Sequence, residues 1–385
     1  MPRLRTLCAV ACVAACLFAW LPSVGASAAD APRLAPNWSQ GEFDAAHTAH
    51  NTREQVLSPQ NVGRLTLAWS VPIPGGIWAS PIVSDGRVFL GDGEGAMHAF
   101  DATTGRELWS NSAEPGAFFV DSAASHDGLV YASAIYRPLR TYDAATGRLG
   151  WSADRCPSVR ASPTGADDVL YLACFTGSLV ALQPRTGRVI WKVAGGCCVY
   201  DQAPVVDRGR VFQMRTNDTL TAYDTASGAV LWRQSEFSIG TMASAGGTLF
   251  FNHYPDVVAV DEATGQELWR APVGSGGSGS PAVADGMVFV VSSQLYALNA
   301  RTGDVVWSAP AASTWGPTVA NGVVYASSLS GEWDAFDERD GSLLWSVTSG
   351  SGCGGTCAEG IPVVSNGMLY LPGPDQYLRA YRLGP

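Results

Sequence analysis

Three acidic residues and one arginine have side chains suited to ligand binding or proton transfer. Asp121 ends the stretch Ala-Phe-Phe-Val-Asp, Asp201 follows Cys-Cys-Val-Tyr, and Glu359 follows Gly-Gly-Thr-Cys-Ala. Carboxylate oxygens bind hard cations such as Ca²⁺, and a positioned carboxylate can accept a proton as a general base. Arg160 ends Cys-Pro-Ser-Val-Arg and can hydrogen-bond a ligand carboxylate.

The cysteines form a second set of reactive side chains. Three of the nine, Cys8, Cys12 and Cys16, fall within the first 16 residues, which leaves six. An even number in an exported chain predicts disulfides, but six cysteines allow 15 pairings. Several pairings stay open: Cys353 with Cys357, Cys156 with Cys174, Cys156 with Cys198, and a strained bridge between the adjacent Cys197 and Cys198.

No group of residues has the spacing of a zinc or haem site. His47 and His50 stand three apart near the start of the chain, and the other three histidines are dispersed. The motif C-x-x-C-H is absent from the sequence. We therefore predict neither a zinc site nor a covalently attached c-type haem.

The elements that must position these side chains are copies of one repeat, whose first full copy is Gly86–Trp109. It contains three short strand-like segments, and a fourth precedes it at residues 80–83. Asp101-Ala-Thr-Thr-Gly105 joins the last two strands. The Asp can hydrogen-bond the backbone two residues on, and the Gly accepts the left-handed conformation of such a turn.

The repeat has a constant spacing. Successive repeat tryptophans, counted from Trp69, stand 37 to 42 residues apart. A glycine stands four residues before the seven later ones, at Gly105/Trp109, Gly147/Trp151, Gly187/Trp191, Gly228/Trp232, Gly265/Trp269, Gly303/Trp307 and Gly341/Trp345. A period near 40 with four strands is typical of propeller blades, and an ordinary β-sandwich would not keep it. We predict an all-β fold, an eight-bladed β-propeller of four-stranded antiparallel blades.

Both ends of the chain are expected to share the last blade. The eighth copy ends at Leu378–Leu383 without the glycine and tryptophan, and the missing outer strand is present at Leu65–Val71. Such closure removes open sheet edges. We therefore assign residues 65–385 to a single propeller and residues 29–64 to an N-terminal extension.

Residues 1–28 have the features of a signal peptide. Arg3 and Arg5 precede an apolar run, and Ala26-Ser-Ala28 is a small-residue cleavage site. Val-Ala-Ala-Cys16 resembles a lipoprotein signal and would make Cys16 a lipid anchor, so a secreted and a lipid-anchored form both stay open. The mature chain is extracytoplasmic in either case, and we expect no transmembrane segment in it.

The charge balance excludes one class of partner. The chain has 34 acidic and 24 basic residues, a formal net charge of −10, and Lys192 is its only lysine. Contacts with phosphates need basic patches, so we predict that the protein does not bind nucleic acid. We expect a monomer that binds a protein, a glycan or a small ligand at the face formed by the inter-blade loops and the turns between second and third strands.

Two further patterns support a family resemblance. Asn37-Trp38 precedes Leu57-Ser-Pro-x-Asn-Val-x-x-Leu-x-x-Ala-Trp-Ser, and Ala-x-Asp-x-x-Thr-Gly-x-x-x-Trp occurs at Ala99–Trp109 and Ala259–Trp269. These motifs resemble the quinoprotein alcohol dehydrogenases and their shorter PQQ-repeat relatives, which include non-catalytic outer-membrane assembly lipoproteins. The resemblance implies that each repeat tryptophan docks its outer strand onto the neighbouring blade.

The resemblance also implies roles for the loop residues. The dehydrogenases stack adjacent cysteines against the PQQ ring, and Cys197-Cys198 hold the matching place before an inner strand. By the same resemblance, Trp78 or Trp315 would cover the other ring face, and Arg160 would meet a cofactor carboxylate. Asp121, Asp201 and Glu359 could then supply oxygen ligands to Ca²⁺, or one of them could be the general base; Asp201 and Glu359 are the catalytic candidates.

Departures from the dehydrogenases favour another function. The chain is much shorter, with almost none of the insertions that build their substrate cavity, and it has no clear match to their calcium-ligand and catalytic-acid segments. We favour an exported binding or scaffolding module that acts through the loop-bearing face. The alternatives are a small PQQ- and Ca²⁺-dependent alcohol or sugar dehydrogenase, and an enzyme of another class on the same scaffold.

Overall fold

The computed structural model describes residues 38–112, 116–119, 121–159, 161–195, 203–215, 219–235, 241–253, 255–274, 279–311, 315–328, 331–348 and 360–385. Within these ranges the chain forms strands β1 to β33 and one short 3₁₀-helix, Val62–Arg64. No described helix is long and apolar enough to cross a membrane. The signal peptide, the Cys16 anchor and most of the cysteine-bearing loops predicted from the sequence lie outside the described residues.

Thirty-two of the strands form the eight blades, and β1 (His50–Asn51) pairs in parallel with the innermost strand of the seventh. Blades 1 and 2 contain Ile82–Ser84 (β3), Arg87–Gly91 (β4), Met97–Asp101 (β5), Glu107–Asn111 (β6), and Ala124–His126 (β7), Leu129–Ala132 (β8), Arg140–Asp143 (β9), Leu149–Ser152 (β10). Blades 3 and 4 contain Thr164–Ala166 (β11), Val169–Ala173 (β12), Leu179–Leu182 (β13), Val189–Val193 (β14), and Val205–Asp207 (β15), Arg210–Arg215 (β16), Thr219–Asp224 (β17), Val230–Ser235 (β18). Blades 5 and 6 contain Met242–Ala245 (β19), Thr248–His253 (β20), Asp256–Asp261 (β21), Glu267–Pro272 (β22), and Ala282–Ala284 (β23), Met287–Val291 (β24), Leu295–Asn299 (β25), Val305–Ala309 (β26).

The last two blades complete the ring. Blade 7 contains Thr318–Ala320 (β27), Val323–Ser327 (β28), Glu332–Asp337 (β29) and Leu343–Thr348 (β30). Blade 8 contains Val363–Ser365 (β31), Met368–Pro372 (β32), Tyr377–Leu383 (β33) and, as its outermost strand, Leu65–Pro72 (β2). Strand β2 pairs antiparallel with β33, so both ends of the chain share this blade. The predicted eight-bladed propeller and its closure are confirmed.

Each inner hairpin closes with a turn that the sequence encodes locally. Asp85 and Gly86 have φ angles of 49° and 71°, and Asn321 and Gly322 have angles of 46° and 78°. Two successive positive φ angles define the type I′ turn, which matches the twist of paired strands and favours Asp-Gly or Asn-Gly. These turns place the start of every inner strand at the loop-bearing face and its end at the opposite face.

Seven of the eight repeat tryptophans, Trp69 to Trp307, donate a hydrogen bond to the following blade, and the eighth, Trp345, packs against Tyr381 of blade 8. The Nε1 of Trp69 donates to the Ala102 carbonyl at 3.1 Å, and a Cβ on Gly105 would lie 2.6 Å from the indole Cδ2. The same close approach joins Trp109 to Gly147, Trp151 to Gly187, Trp191 to Gly228, Trp232 to Gly265, Trp269 to Gly303 and Trp307 to Gly341. The expected docking role is confirmed. The glycine and tryptophan of one repeat therefore serve two different interfaces, one on each side of the blade.

Residues Trp38–Asn51, here called the axial segment, contact the innermost strand of every blade. The middle residue of each inner strand makes the contact, so the segment stays at one level of the channel. Six contacts are backbone hydrogen bonds, from the N–H groups of Val83, Ser125, Val206, Ser244, Val283 and Val319 to the carbonyls of Trp38, Ser39, Ala45, Ala46, Thr48 and Ala49. Side chains supply the other two, because Gln40 Oε1 accepts from Gly165 N–H and Asn51 Nδ2 donates to the Val364 carbonyl.

Candidate functional site

The axial segment is held in a compact conformation by its own hydrogen bonds. The Asp44 carboxylate accepts from the Thr48 backbone N–H at 2.9 Å and from the Thr48 hydroxyl at 2.8 Å. Glu42 and Phe43 have φ angles of 56° and 77°, a region that non-glycine residues rarely adopt. The bonds to eight blades hold this backbone in place, and they fix the position of the Glu42 side chain.

A small polar chamber lies between the axial segment and the loop-bearing end of the channel. Its volume is about 70 Å³. Gly41, Glu42 and His47 of the axial segment line it on one side. The facing wall carries a carboxylate and several hydroxyl groups, contributed by Asp121, Ser122, Ser162, Thr241 and Ser280.

Glu42 has one bonded and one unbonded carboxylate oxygen in this chamber. Its Oε1 accepts a hydrogen bond from the Ser280 hydroxyl at 2.9 Å. Its Oε2 is buried and has no hydrogen-bond partner among the described residues. Burial raises the pKa of the carboxyl to about 7, with Asp44 adding to the rise and the Ser280 bond opposing it. A nearby donor or positive charge would therefore stabilise the ionised carboxylate.

His47 supplies a neutral imidazole at the same level. The residue is buried, and its Nε2 lies 3.2 Å from the Thr164 hydroxyl oxygen. Burial lowers the pKa of the imidazole to about 4, so the ring is uncharged at neutral pH. The histidine therefore adds no positive charge to offset the acidic groups of the chamber.

Three of the residues predicted from the sequence to form the site are described. Asp121 lines the chamber together with Glu42. Trp78 is half-buried beside the channel, donates to the Gly75 carbonyl at 3.1 Å, and contacts the Phe118 ring edge to face. Trp315 packs against the apolar cluster around Trp38. Arg160, Cys197, Cys198, Asp201 and Glu359 lie outside the described residues, so the structure does not place them.

One disulfide is formed within the described residues. Cys156 and Cys174 are bonded, with Cα atoms 5.4 Å apart, and both residues are fully buried. This pairing excludes the alternative in which Cys156 bonds Cys198. Cys353 and Cys357 lie outside the described residues, as does the adjacent pair at 197–198.

A second group of titratable side chains lies at the opposite end of the channel. The Nε2 of His126 is 3.1 Å from Asp168 Oδ1 and 3.6 Å from Asp127 Oδ2. Among the described residues, it is the one group of three whose candidate metal-ligand atoms lie within 4.8 Å of one another. Arg185 already pairs with Asp127 at 2.9 Å. The acidic charge of this group is thus partly neutralised within the protein.

The described residues do not fit a cofactor of the size of PQQ. Pockets for ligands of this size have volumes of roughly 300–1,000 Å³, whereas the chamber has about 70 Å³. The axial segment fills the channel beneath it, and both candidate tryptophans pack against protein side chains. We therefore derive no redox step at this site.

Reasoning from the sequence missed Glu42 and His47 as site residues. Both stand in a stretch without hydrophobic periodicity, Ser-Gln-Gly-Glu-Phe-Asp-Ala-Ala-His-Thr. Nothing in that pattern indicates that the stretch lines a channel. The available signal was the run of polar residues that follows Trp38 and precedes the first strand.

Comparisons with known proteins agree with this architecture. A family model described as "Outer membrane protein assembly factor BamB" matches residues 57–250, 216–313 and 292–383. BamB of Yersinia pestis is 24% identical over 238 residues, which cover 58% of this chain and 58% of that protein. The matched region thus spans little more than half the length of that curated relative.

Two solved structures share the fold at low sequence identity. Quinohemoprotein alcohol dehydrogenase ADHIIG from Pseudomonas putida HK5 superposes with a TM-score of 0.75 and 16% identity, covering 91% of this chain and 80% of that one. BamB from Moraxella catarrhalis superposes with a TM-score of 0.68 and 16% identity, covering 83% of this chain and 99% of that one. At this identity the likeness establishes the fold alone.

Proposed function

We propose a function from the premise that this chain belongs to the family described as outer membrane protein assembly factor BamB. In this proposal the protein is an extracytoplasmic binding and scaffolding module. It engages a protein partner through the face that carries the inter-blade loops. Catalysis is not part of the proposed role.

The position of the axial segment in the channel carries this proposal. The axial segment bonds to all eight inner strands and leaves a polar chamber of about 70 Å³ at the loop-bearing end. A propeller enzyme needs a cavity large enough for substrate or cofactor, and ligand pockets are several times larger than this chamber. A channel occupied by the axial segment is better suited to a protein that binds a macromolecular surface than to an enzyme.

Exposed aromatic side chains on the loop-bearing face support a protein contact. Phe118 lies in the loop between blades 1 and 2 and is 48% exposed, and Tyr136 lies in the turn between the second and third strands of blade 2 and is 51% exposed. Each is braced by a second ring, Phe118 by Trp78 and Tyr136 by Phe175. Aromatic residues are enriched at protein–protein interfaces, where they supply large contact area.

Site-specific photocrosslinking in the producing cells tests the proposal. A crosslinking amino acid at position 118 or 136 is expected to capture the same protein partner from both positions. The control is position 268, a leucine that is 54% exposed on the outer strand of blade 5. Capture from position 268 alone would place the interface on the perimeter and would contradict the proposal.

The extracytoplasmic location is tested on the same cells. Release of the protein by osmotic shock, or its recovery in a membrane fraction facing away from the cytoplasm, is the expected result. Recovery of the full-length chain only from the cytoplasm would contradict the proposed location and the signal peptide at residues 1–28.

The alternative function, a small quinoprotein dehydrogenase, is favoured by the shared fold with quinohemoprotein alcohol dehydrogenase. It is opposed by the chamber volume and by the position of the axial segment. Purified protein is incubated with PQQ and Ca²⁺ and assayed with alcohols, sugars and an electron-accepting dye. PQQ-dependent dye reduction would overturn the binding-module proposal in favour of the enzyme.

A further inference from the structure

We propose that the axial chamber receives a primary ammonium group, supplied either by a lysine side chain of a protein partner or by a small free amine. The lysine source rests on the function proposed above, whereas the free-amine source does not. The proposal assigns a chemical class of ligand to a chamber whose walls are acidic and hydroxylic. Its central residue is Glu42.

Glu42 presents an acceptor that lacks a donor. Its Oε2 is buried without a hydrogen-bond partner among the described residues, although its Oε1 is bonded to Ser280. A buried acceptor left without a donor is costly, and a charged one is costlier. An ammonium group placed in the chamber would supply both a donor and a compensating charge to this carboxylate.

The other lining residues of the chamber carry acceptor groups for the remaining N–H donors of an ammonium group. An ammonium carries three N–H donors and no acceptor. Ser122, Ser162 and Thr241, whose side chains carry hydroxyl oxygens, line the chamber together with Asp121, which carries a second carboxylate. None of the described residues that line the chamber is Lys or Arg, and His47 is neutral. The described lining therefore provides acceptors and negative charge but no cation.

The spacing of the acidic groups favours an ammonium over a metal ion. A Ca²⁺ ion is held by oxygens 2.3–2.6 Å away, which draws the ligand atoms together. In the described residues, three carboxylate or imidazole ligand atoms converge within 4.8 Å at His126 on the opposite face, and not at the chamber. Hydrogen bonds to an ammonium are longer, about 2.7–2.9 Å, and therefore tolerate more widely spaced acceptors.

The size of the chamber limits the ligand to the end of a side chain or a small amine. A water molecule needs roughly 10–15 Å³ of such volume, so about 70 Å³ admits a few waters or an ammonium with a short methylene stem. Gly41 stands at the wall, and a Cβ there would lie 3.3 Å from the Ser122 Cβ and 3.4 Å from the Ser162 Cβ. A side chain at position 41 would thus take up part of this space without changing its charge.

Isothermal titration calorimetry with the full mature chain at pH 8 tests the proposal. Methylammonium and n-butylammonium are expected to bind, and Glu42→Gln is expected to weaken binding by about tenfold or more because a charge-assisted hydrogen bond is lost. Gly41→Ala is expected to weaken n-butylammonium more than methylammonium. Asp168→Asn, a charge change on the opposite face, is the matched control and is expected to bind both amines as the unaltered protein does.

A second ligand separates hydrogen bonding from simple charge attraction. Tetramethylammonium carries the same charge without N–H donors and is expected to bind at least tenfold more weakly than methylammonium. Binding of methylammonium that survives Glu42→Gln would overturn the proposal. Binding of Ca²⁺ that depends on Glu42, without amine binding, would also overturn it. Melting temperatures of each variant show that the fold is kept.

The pH dependence of binding provides a further readout. Because the pKa of Glu42 is raised by burial to about 7, amine affinity is expected to rise as the pH is increased from 6 to 8. Affinity that is constant over this range would contradict a role for the ionised Glu42 carboxylate.

The two sources of the ammonium are separated by combining assays. If Glu42→Gln abolishes crosslinking from position 118 as well as amine binding, the ligand is a lysine of the partner. If amines bind in a Glu42-dependent manner while crosslinking is unchanged or absent, the source is a free amine and the chamber assignment still holds. If crosslinking persists but no amine binds, the chamber inference fails and the proposed function survives.

Discussion

The importance of the contact between a repeat tryptophan and the glycine of the next blade can be measured by adding one methyl group to the glycine. Gly147 has a φ of 70°, and a Cβ there would lie 2.6 Å from two ring carbons of Trp109. Gly128, in the same blade, has a φ of 76° but no heavy atom within 4 Å of its added Cβ. Gly147→Ala and Gly128→Ala thus carry the same conformational cost and differ in the contact with the indole.

The expected magnitudes follow from two separate terms. A left-handed conformation costs an L-residue about 1–2 kcal/mol relative to glycine. Forcing an extra carbon into a packed interface costs a further 1–3 kcal/mol or so. Gly128→Ala is therefore expected to lower the free energy of unfolding by about 1–2 kcal/mol, and Gly147→Ala by about 2–5 kcal/mol.

Equilibrium unfolding in urea, followed by tryptophan fluorescence and by circular dichroism, measures both variants. The double variant Trp109→Ala/Gly147→Ala is included because removal of the ring removes the clash. Its loss in free energy of unfolding is therefore expected to be smaller than the sum of the losses in the two single variants. Equal destabilisation by Gly147→Ala and Gly128→Ala would refute the view that indole packing on glycine joins the blades. Additive effects in the double variant would refute it independently.

Two other predictions concern buried groups away from the chamber. Glu338 is 3% exposed, and burial, with Asp285 and Asp337 nearby, raises its pKa to about 7. Its folded-state pKa exceeds the ordinary value of 4.5, so the stability linked to its protonation is complete below pH 4.5 and is lost as the pH rises through 7. Glu338→Gln should therefore have a higher melting temperature than the unaltered protein at pH 8, and the difference should be smaller at pH 5. A difference in melting temperature that does not depend on pH would contradict this. The Cys156–Cys174 bond closes a loop with a sequence separation of 18. The double variant Cys156→Ala/Cys174→Ala should therefore lower the free energy of unfolding by about 3 kcal/mol. An unchanged midpoint of urea unfolding under non-reducing conditions would show that this bond does not stabilise the fold.

The blades could be predicted from the sequence because each one repeats the same turn residues and the same interface tryptophan. Asp101 and Gly105 encode the outer turn, Asp85 and Gly86 encode the inner turn, and Trp109 marks the interface. These signals act over a few residues and recur about every 40, so one blade explains the others. The shared eighth blade followed from the same pattern, because the last copy lacks its outer strand and a matching outer strand precedes the first copy.

The axial segment could not be predicted in the same way. It bonds to eight strands that are distant in sequence, six through its backbone and two through side chains, so no local periodicity predicts its path. Glu42 and His47 are distinctive because of what surrounds them, namely Ser280 and Thr164 from other blades. Asp121, which the sequence analysis selected from an inter-blade loop, lines the chamber. The sequence did not indicate that residues before the first strand would form the chamber's other side.

The route of the axial segment has a consequence for how the protein is made. Trp38 is synthesised before any of its partner strands, and the last partner, Val364, follows Asn51 by 313 residues. The segment can complete its contacts only after all eight inner strands exist, and pairing over such separations is slow. A chain interrupted before blade 8 lacks both the final contact of the segment and the partner of strand β2. Completion of the ring thus requires blade 8, and we expect a chain that is truncated before this blade to be cleaved by proteases more readily than the complete propeller.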